Sequence, residues 1–285
     1  MAIIVKDLSY TYKAGTPLAS KALENINLEI PKGQFVAIIG QTGSGKSTFV
    51  QHLNGLIRTS PGHIWICGED IGGKDVNLKE LRHKVGLVFQ YPEHQVFEET
   101  VYADIAFGPK NLGYTGEELE KAVRQAMHLV KLDYADFKDR SPLELSGGQL
   151  RRVAIAGVLA MQPSILILDE PTAGLDPKTR DEILEQIRRL HRETDLTVIL
   201  VSHSMEEVAR LADQVFVFHR GTIALQGHPR ELFQEEEALT SLGLGIPQVV
   251  RVMRRLAESG IPVDPRVLNT QEAAEQIIRR WRAHA

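Results

Sequence analysis

The chain has 285 residues, 43% of them apolar and 25% charged, the balance of a soluble globular protein with one large or two modest domains. Its net charge of −4 gives no global basic footprint and so argues against nucleic acid as a partner, while the single cysteine, Cys67, cannot close an internal disulfide and suits a reducing compartment. No run approaches 18 consecutive apolar residues, so no membrane-spanning helix is expected, and the first residues read as a strand rather than a signal peptide.

The first 40 residues are strand-rich. Short β-compatible runs at Ile3–Leu8, Glu24–Ile30 and Gln34–Ile39 are separated by the Lys13–Ser20 loop and by Pro31-Lys32-Gly33. Phe35–Ile39 is nearly all apolar, as suits a strand buried on both faces. It runs into a glycine loop and then a helix whose apolar face is Phe49, Leu53 and Leu56. Further buried strands are expected at Val85–Phe89, Ile165–Leu168, Thr197–Val201 and Val215–Phe218. Helical spacing marks Glu117–Lys131 (Leu119, Ala122, Val123, Ala126, Leu129, Val130), the stretch after Gly148, and Asp181–His191. Alternating strands and helices predict an α/β fold with a parallel-rich sheet, interrupted by a helical block at about 98–162. No strand signal follows Gly227. A helix is predicted from Pro247 to Glu258, closed by Gly260, and Asn269 with Glu272 resembles a capping box for Gln271–Arg282. The expected division is a domain at 1–227 and a small helical appendage at 228–285.

Two motifs carry most of the chemistry. Gly40-Gln41-Thr42-Gly43-Ser44-Gly45-Lys46-Ser47 fits G-x-x-x-x-G-K-[ST], and a strand before it with a helix after it is the context a phosphate loop requires. Its glycines let backbone N–H groups converge on phosphates, Lys46 reaches the β- and γ-phosphates, and the Ser47 hydroxyl serves Mg²⁺. Leu145-Ser146-Gly147-Gly148-Gln149 follows about a hundred residues later. With average residue usage the loop arises by chance in roughly one chain in a hundred of this length, and the pentapeptide in roughly one in a few thousand.

Weaker signals surround them. Ile165-Leu-Ile-Leu-Asp169-Glu170 is an apolar strand ending in two carboxylates, at the strand end where open α/β sheets bind ligands. Asp169 is then a candidate to hold the metal through water and Glu170 a candidate general base; alone, such a strand end could equally be two solvated acids. Gln90 follows the strand at 85–89 and could reach metal and water, or be a polar strand end. His203 follows the strand at 197–201 and could contact a γ-phosphate, or be structural. Tyr12 could stack on adenine, or pack within its own strand.

The order of these signals resolves the alternatives. Tyr12, Gly40–Thr48, Gln90, Leu145–Gln149, Ile165–Glu170, Gly174-Leu175-Asp176 and His203 resemble the full motif series of an ATP-binding cassette (ABC) ATPase: A-loop, Walker A, Q-loop, signature, Walker B with catalytic Glu, D-loop and H-loop. The resemblance covers about residues 1–227. It implies a P-loop NTPase core with an antiparallel β-subdomain and a helical subdomain. It also implies ATP hydrolysis with Mg²⁺ held by Ser47, Gln90 and, via water, Asp169; Glu170, His203 and Gln90 as catalytic residues; and head-to-tail pairing in which Leu145–Gln149 act in trans. A narrower resemblance, to the A2-type ATPases of energy-coupling-factor (ECF) transporters, rests on Tyr12-Lys-Ala-Gly-Thr-Pro17, the Gln-Thr-Gly-Ser-Gly form of Walker A, Val88-Phe-Gln-Tyr-Pro-Glu-His-Gln95 with Phe97-Glu-Glu-Thr, and Gly243-Leu-Gly-Ile-Pro247. It implies a peripheral subunit on the cytoplasmic face of the membrane, powering import of a vitamin or a cobalt or nickel ion. The implied partners are a second ATPase (paralogue or identical copy), a transmembrane coupling protein and a membrane substrate-capture protein, with the appendage helping to hold the two ATPases together. The acidic residues Glu93, Glu98 and Glu99 are the expected face toward the coupling protein. Another ABC importer, or a non-transport ABC ATPase, is the alternative; one cassette and a modest helical insert argue against the latter.

Overall fold

The structure is a computed structural model that describes residues 1–284. In chain order its elements are β1 (Ile3–Tyr12), β2 (Ser20–Ile30), β3 (Phe35–Ile39), α1 (Lys46–Leu53), β4 (Ile64–Ile66), β5 (Glu69–Asp70), α2 (Leu78–Lys84) and β6 (Val85–Val88). There follow α3 (Val101–Leu112), α4 (Gly116–Leu129), α5 (Tyr134–Phe137), α6 (Gly147–Leu159), β7 (Ile165–Asp169), α7 (Pro177–Glu193), β8 (Thr197–Val201), α8 (Met205–Leu211), β9 (Gln214–His219) and β10 (Thr222–Gly227). Four helices close the chain: α9 (Pro229–Leu232), α10 (Glu236–Ser241), α11 (Gln248–Glu258) and α12 (Thr270–His284). No helix among the described residues is long and apolar enough to cross a membrane.

Two compact units share this chain. The first comprises Met1–Leu8, Asn27–Gln34 and Ser47–Val201. In it β6, β7 and β8 run parallel, with Leu87 opposite Ile167 and Ile167 opposite Ile199. All three strands are buried at every position, so alternation is absent and they read as continuous apolar runs. Residues of β1 pair antiparallel with β4 (Ile3 with Ile66) and β4 with β5, the expected antiparallel layer. The helical block spans α3 to α6. Thr100 caps α3 through the Ala103 N–H, and Gly113 ends it in the left-handed region.

The second unit comprises Ser9–Ile26, Phe35–Lys46 and the chain from Ser202 onward. Here β3 lies parallel to β9 (Ile38 opposite Phe216), and β10 returns antiparallel along β9. The four terminal helices do not stand apart. Leu232, Phe233, Leu239, Ile246 and Val250 form one buried cluster with Ala37 and Ile39 of β3, Met205 and Val208 of α8, and Val215 and Val217 of β9. A smaller cluster of Met253, Val267 and Ala273 joins α11 to α12.

Several local readings shift. The strand at 85–89 ends at Val88, leaving Phe89 and Gln90 exposed, and α1 ends at Leu53, leaving Leu56 exposed beyond it. The helix from Pro247 and the Asn269 cap are present, the Glu272 N–H meeting Asn269 Oδ1 at 2.8 Å. The stripe on α12 is only buried at Ala273: Ile277, Ile278 and Trp281 are exposed, Trp281 by 78%.

Candidate functional site

In the second unit the apolar strand β3 delivers Gly40 into a loop shaped by close backbone packing. Gly40 has φ +151°, and a methyl there would lie 2.3 Å from the Phe218 carbonyl oxygen, so only glycine fits. Ser44 N–H bonds back to the Gln41 carbonyl at 3.1 Å, and the Ser44 carbonyl receives the Gly221 N–H at 3.0 Å. Lys46, buried at the start of α1, donates to the carbonyls of Gly40 (2.8 Å) and Gln41 (3.0 Å), folding its ammonium back over the loop. The buried Ser44 hydroxyl has no hydrogen-bond partner, so one polar group within the loop, beside the bare face of Gly40, is uncommitted. Thr42 and Gly43 are exposed at the loop crest.

The same unit holds His203 and Tyr12. Ser202 N–H meets the Ile38 carbonyl at 3.3 Å, which sets the His203 segment beside the end of the strand that launches the loop. His203 is exposed, while Ser202 Oγ is tied to the buried Glu207 carboxylate at 2.7 Å, fixing the backbone on either side. Tyr12 is 38% exposed and packs edge-on against Tyr10 at 4.9 Å, leaving part of its ring open.

In the first unit β7 ends at Asp169, which is buried, and Glu170 follows in the left-handed region at φ +49°. A non-glycine residue there is strained, and such strain persists where surrounding structure fixes it. The Glu170 N–H bonds to the Val201 carbonyl at 2.9 Å, and its carboxylate accepts Gln90 Nε2 at 2.8 Å. Two residues eighty positions apart thus meet in one polar contact. Ser47 is exposed on the first turn of α1 and Thr48 lies behind it.

The pentapeptide opens α6. Ser146 is its N-cap: Oγ accepts the Gln149 N–H at 3.3 Å while Gln149 Oε1 accepts the Ser146 N–H at 3.0 Å, a complete capping box. Gly147 is exposed with open space around it, so this 13-residue helix presents its positive end to solvent, and Leu145 lies just outside it. Asp176 caps α7, accepting the N–H groups of Lys178 and Thr179 at 3.1 Å each. Its bonds from Thr179 hold its carboxyl below the ordinary aspartate range.

The sequence reading passed over Arg151, which organises this unit. Its guanidinium is buried, donating to the carbonyls of Pro171 and Ala173 at 2.8 Å each and to both oxygens of Glu93 at 3.1 and 3.4 Å. It links the signature helix to the segment after Glu170 and to the 3-10 turn at Pro92–Gln95. Burial opposes ionisation of Glu93, but its own backbone N–H and Arg151 outweigh that and hold the carboxyl below its usual value. Glu93 is therefore committed internally, which corrects its place among the outward-facing acids. The exposed residues of this surface include the aromatics Tyr91, Phe97 and Phe107, the last two in edge contact at 4.9 Å, together with His94 and Glu99. A signal for Arg151 was present, because it continues the stripe of Ile155 and Val158 that α6 buries.

These features define an ATP-binding cassette, and the chain belongs to the ABC transporter family, whose model matches residues 23–173. It is 53% identical over 279 residues, covering 98% of this chain and 97% of the relative, to the energy-coupling factor transporter ATP-binding protein EcfA2 of Clostridium tetani. Among solved structures it is similar to cbiO1 from Clostridium perfringens, part of the ABC transporter complex cbiONQ (TM-score 0.75, 38% identity, 89% of this chain and 98% of that one). It is also similar to the cassette MJ0796 in a dimeric post-hydrolysis state bound to ADP and Pi (TM-score 0.69, 30% identity, 80% and 98%).

Proposed function

We propose that this chain is the ATP-hydrolysing subunit of an energy-coupling-factor importer, bound peripherally at the cytoplasmic face of the membrane. The observation that carries hydrolysis is the Gln90–Glu170 contact of 2.8 Å beside the buried Asp169. In this reading Gly40–Thr48 bind the phosphates and Tyr12 stacks on adenine. Glu170 takes the proton of the attacking water as its oxygen bonds to the γ-phosphorus and the bond to the ADP oxygen breaks. Gln90 holds the Glu170 carboxylate in place, and His203 contacts the γ-phosphate.

The Ser47 hydroxyl, the Gln90 amide oxygen and, through water, the Asp169 carboxylate would hold Mg²⁺. An all-oxygen donor set suits that hard cation, which when bound neutralises charge on the β- and γ-phosphates. Leu145–Gln149 serve a partner's nucleotide: the solvent-facing N-terminus of α6 is an anion site, and the chain's own phosphate loop already provides one. Asp176 shapes the D-loop between these parts.

The partners in this reading are a second ATPase, identical or a paralogue, a transmembrane coupling protein and a membrane protein that captures a vitamin or a cobalt or nickel ion. Residues 1–227 form the ATPase domain. Residues 228–285 form the extension, whose exposed Ile277, Ile278 and Trp281 face the partner ATPase. Tyr91, Phe97 and Phe107, with Glu98 and Glu99, face the coupling protein, since exposed aromatic clusters anchor interfaces.

The test is Glu170→Gln in the assembled transporter. ATP binding persists while hydrolysis falls by about 10²-fold or more, the scale of a general base. Hydrolysis at the wild-type rate overturns the assignment.

A further inference from the structure

The turn that ends α10 lies against the phosphate loop. Gly243 terminates this helix in the left-handed region at φ +70°, its N–H bonded to the Thr240 carbonyl at 2.9 Å, while the Leu244 N–H returns to the Leu239 carbonyl at 2.9 Å. A methyl group placed on its α-carbon would sit 1.8 Å from Gln41 Nε2, 2.8 Å from Gln41 Cδ and 3.5 Å from Gln41 Cγ. The Gln41 side chain therefore lies along the bare face of Gly243, a space that any other residue fills.

Gln41 is also where the loop's internal bonds converge. Its carbonyl accepts both Lys46 Nζ at 3.0 Å and the Ser44 N–H at 3.1 Å. One residue is thus seated on the C-terminal extension by its side chain and gripped by the phosphate loop at its carbonyl. The seat is firm. Leu239 and Ile246, on either side of the turn, are buried with Ala37 and Ile39 of the strand that launches the loop. Arg254 ties α11 to the carbonyls of Phe233 and Gln234 and to Glu236.

We propose that Gly243 is a positioning residue for the nucleotide site. By seating Gln41 it fixes the peptide that receives Lys46, and so sets the affinity of the loop for the phosphates of ATP. This rests on the reading of Gly40–Thr48 as the phosphate site.

The full-length subunit is titrated with a fluorescent, non-hydrolysed ATP analogue and Mg²⁺, and its thermal unfolding is measured alongside. Gly243→Ala raises the analogue's Kd about fivefold, within the usual coupling range of touching residues, Gln41→Ala raises it by a similar factor, and the double variant goes no further than Gln41→Ala. Gly260→Ala is the control. Gly260 closes α11 at φ +83° with no atom within 4 Å of an added methyl, so this variant takes the same backbone penalty, loses similar melting temperature and leaves Kd unchanged. Gly243→Asn tolerates the left-handed backbone and still displaces Gln41, so it replaces Gly243→Ala if the latter fails to fold. Lys46→Ala tests the underlying reading separately: tight analogue binding by that variant means the loop is not the phosphate site. With Lys46→Ala unable to bind, an unchanged Kd in Gly243→Ala and Gly243→Asn, or independent multiplying effects in the double variant, overturns the positioning role and leaves Gly243 a helix terminator.

Discussion

Replacing Arg151 with Met removes four charge-assisted hydrogen bonds while keeping most of the aliphatic volume. The loss can be apportioned. The carbonyls of Pro171 and Ala173 each lose a donor at 2.8 Å, which costs about 1 kcal/mol apiece for groups away from water. Glu93 loses its partner, but 29% of its side chain is exposed and water can rehydrate it. Its share is therefore about 1–2 kcal/mol rather than the 3–5 kcal/mol of a fully buried ion left alone. The expected total is about 3–4 kcal/mol, read from urea or thermal unfolding of the subunit at neutral pH. Glu93→Gln alone costs about 1 kcal/mol, because a neutral amide still accepts from the guanidinium. In the double variant the Glu93 share disappears, so the two losses are not additive. A loss below about 1 kcal/mol for Arg151→Met, or strict additivity, refutes the claim that this guanidinium holds the three segments together. The pair also predicts acid sensitivity. The folded pKa of Glu93 lies below its unfolded value, so its contribution is present above about pH 4.3 and is lost as pH falls through the folded value.

His52 is buried with Nδ1 on the Thr48 carbonyl at 2.7 Å, and burial lowers its pKa despite that bond. Its contribution is thus complete above about pH 6.5 and declines as pH falls from there toward the folded pKa; His52→Gln flattens the stability–pH curve between pH 7.5 and 5.5, and an unchanged slope counts against the assignment. Phe233→Ala, at a fully buried position, costs about 3–5 kcal/mol in unfolding experiments, and removing residues from 228 onward leaves an insoluble chain rather than a trimmed monomer. A soluble, cooperatively folding truncation refutes that packing. Trp281→Asp with Ile278→Asp leaves subunit stability within about 0.5 kcal/mol, since both are exposed, but weakens association with the second ATPase in sedimentation; unaltered association removes these residues from that contact.

The glycine loop was legible because its spacing matches what phosphate chemistry requires, and β3, β7 and β8 because a strand buried on both faces reads as an almost unbroken apolar run, with Thr197 and Asp169 only at the ends of β8 and β7. The left-handed backbone of Glu170 was not legible, since φ at that position is set by β7 and β8 rather than by the residue itself. Arg151 continues the buried stripe of Ile155 and Val158 on α6, but the sequence does not show which carbonyls and which carboxylate its guanidinium meets. The helices α9 and α10, of four and six residues, are too short for a periodic signal. The α12 stripe showed an apolar face, yet periodicity does not say what covers it. The seat of Gln41 joins residues two hundred positions apart, and the sequence offered Gly243-Leu-Gly-Ile-Pro247 as a family resemblance with no sign of its contact to Gln41.

The cluster around β3 has a consequence for how the chain is made. Ala37 and Ile39 emerge from the ribosome early, yet Phe233, Leu239 and Val250, which cover them, are translated about two hundred residues later. At bacterial or eukaryotic speeds of about 5–20 residues per second that interval is on the order of 10–40 s. The first unit has every residue it needs once Val201 is out, whereas the second waits for nearly the whole chain. During that interval β3 and the glycine loop it launches lack the residues that cover them, so this apolar strand stays incompletely buried until nearly the whole chain is made.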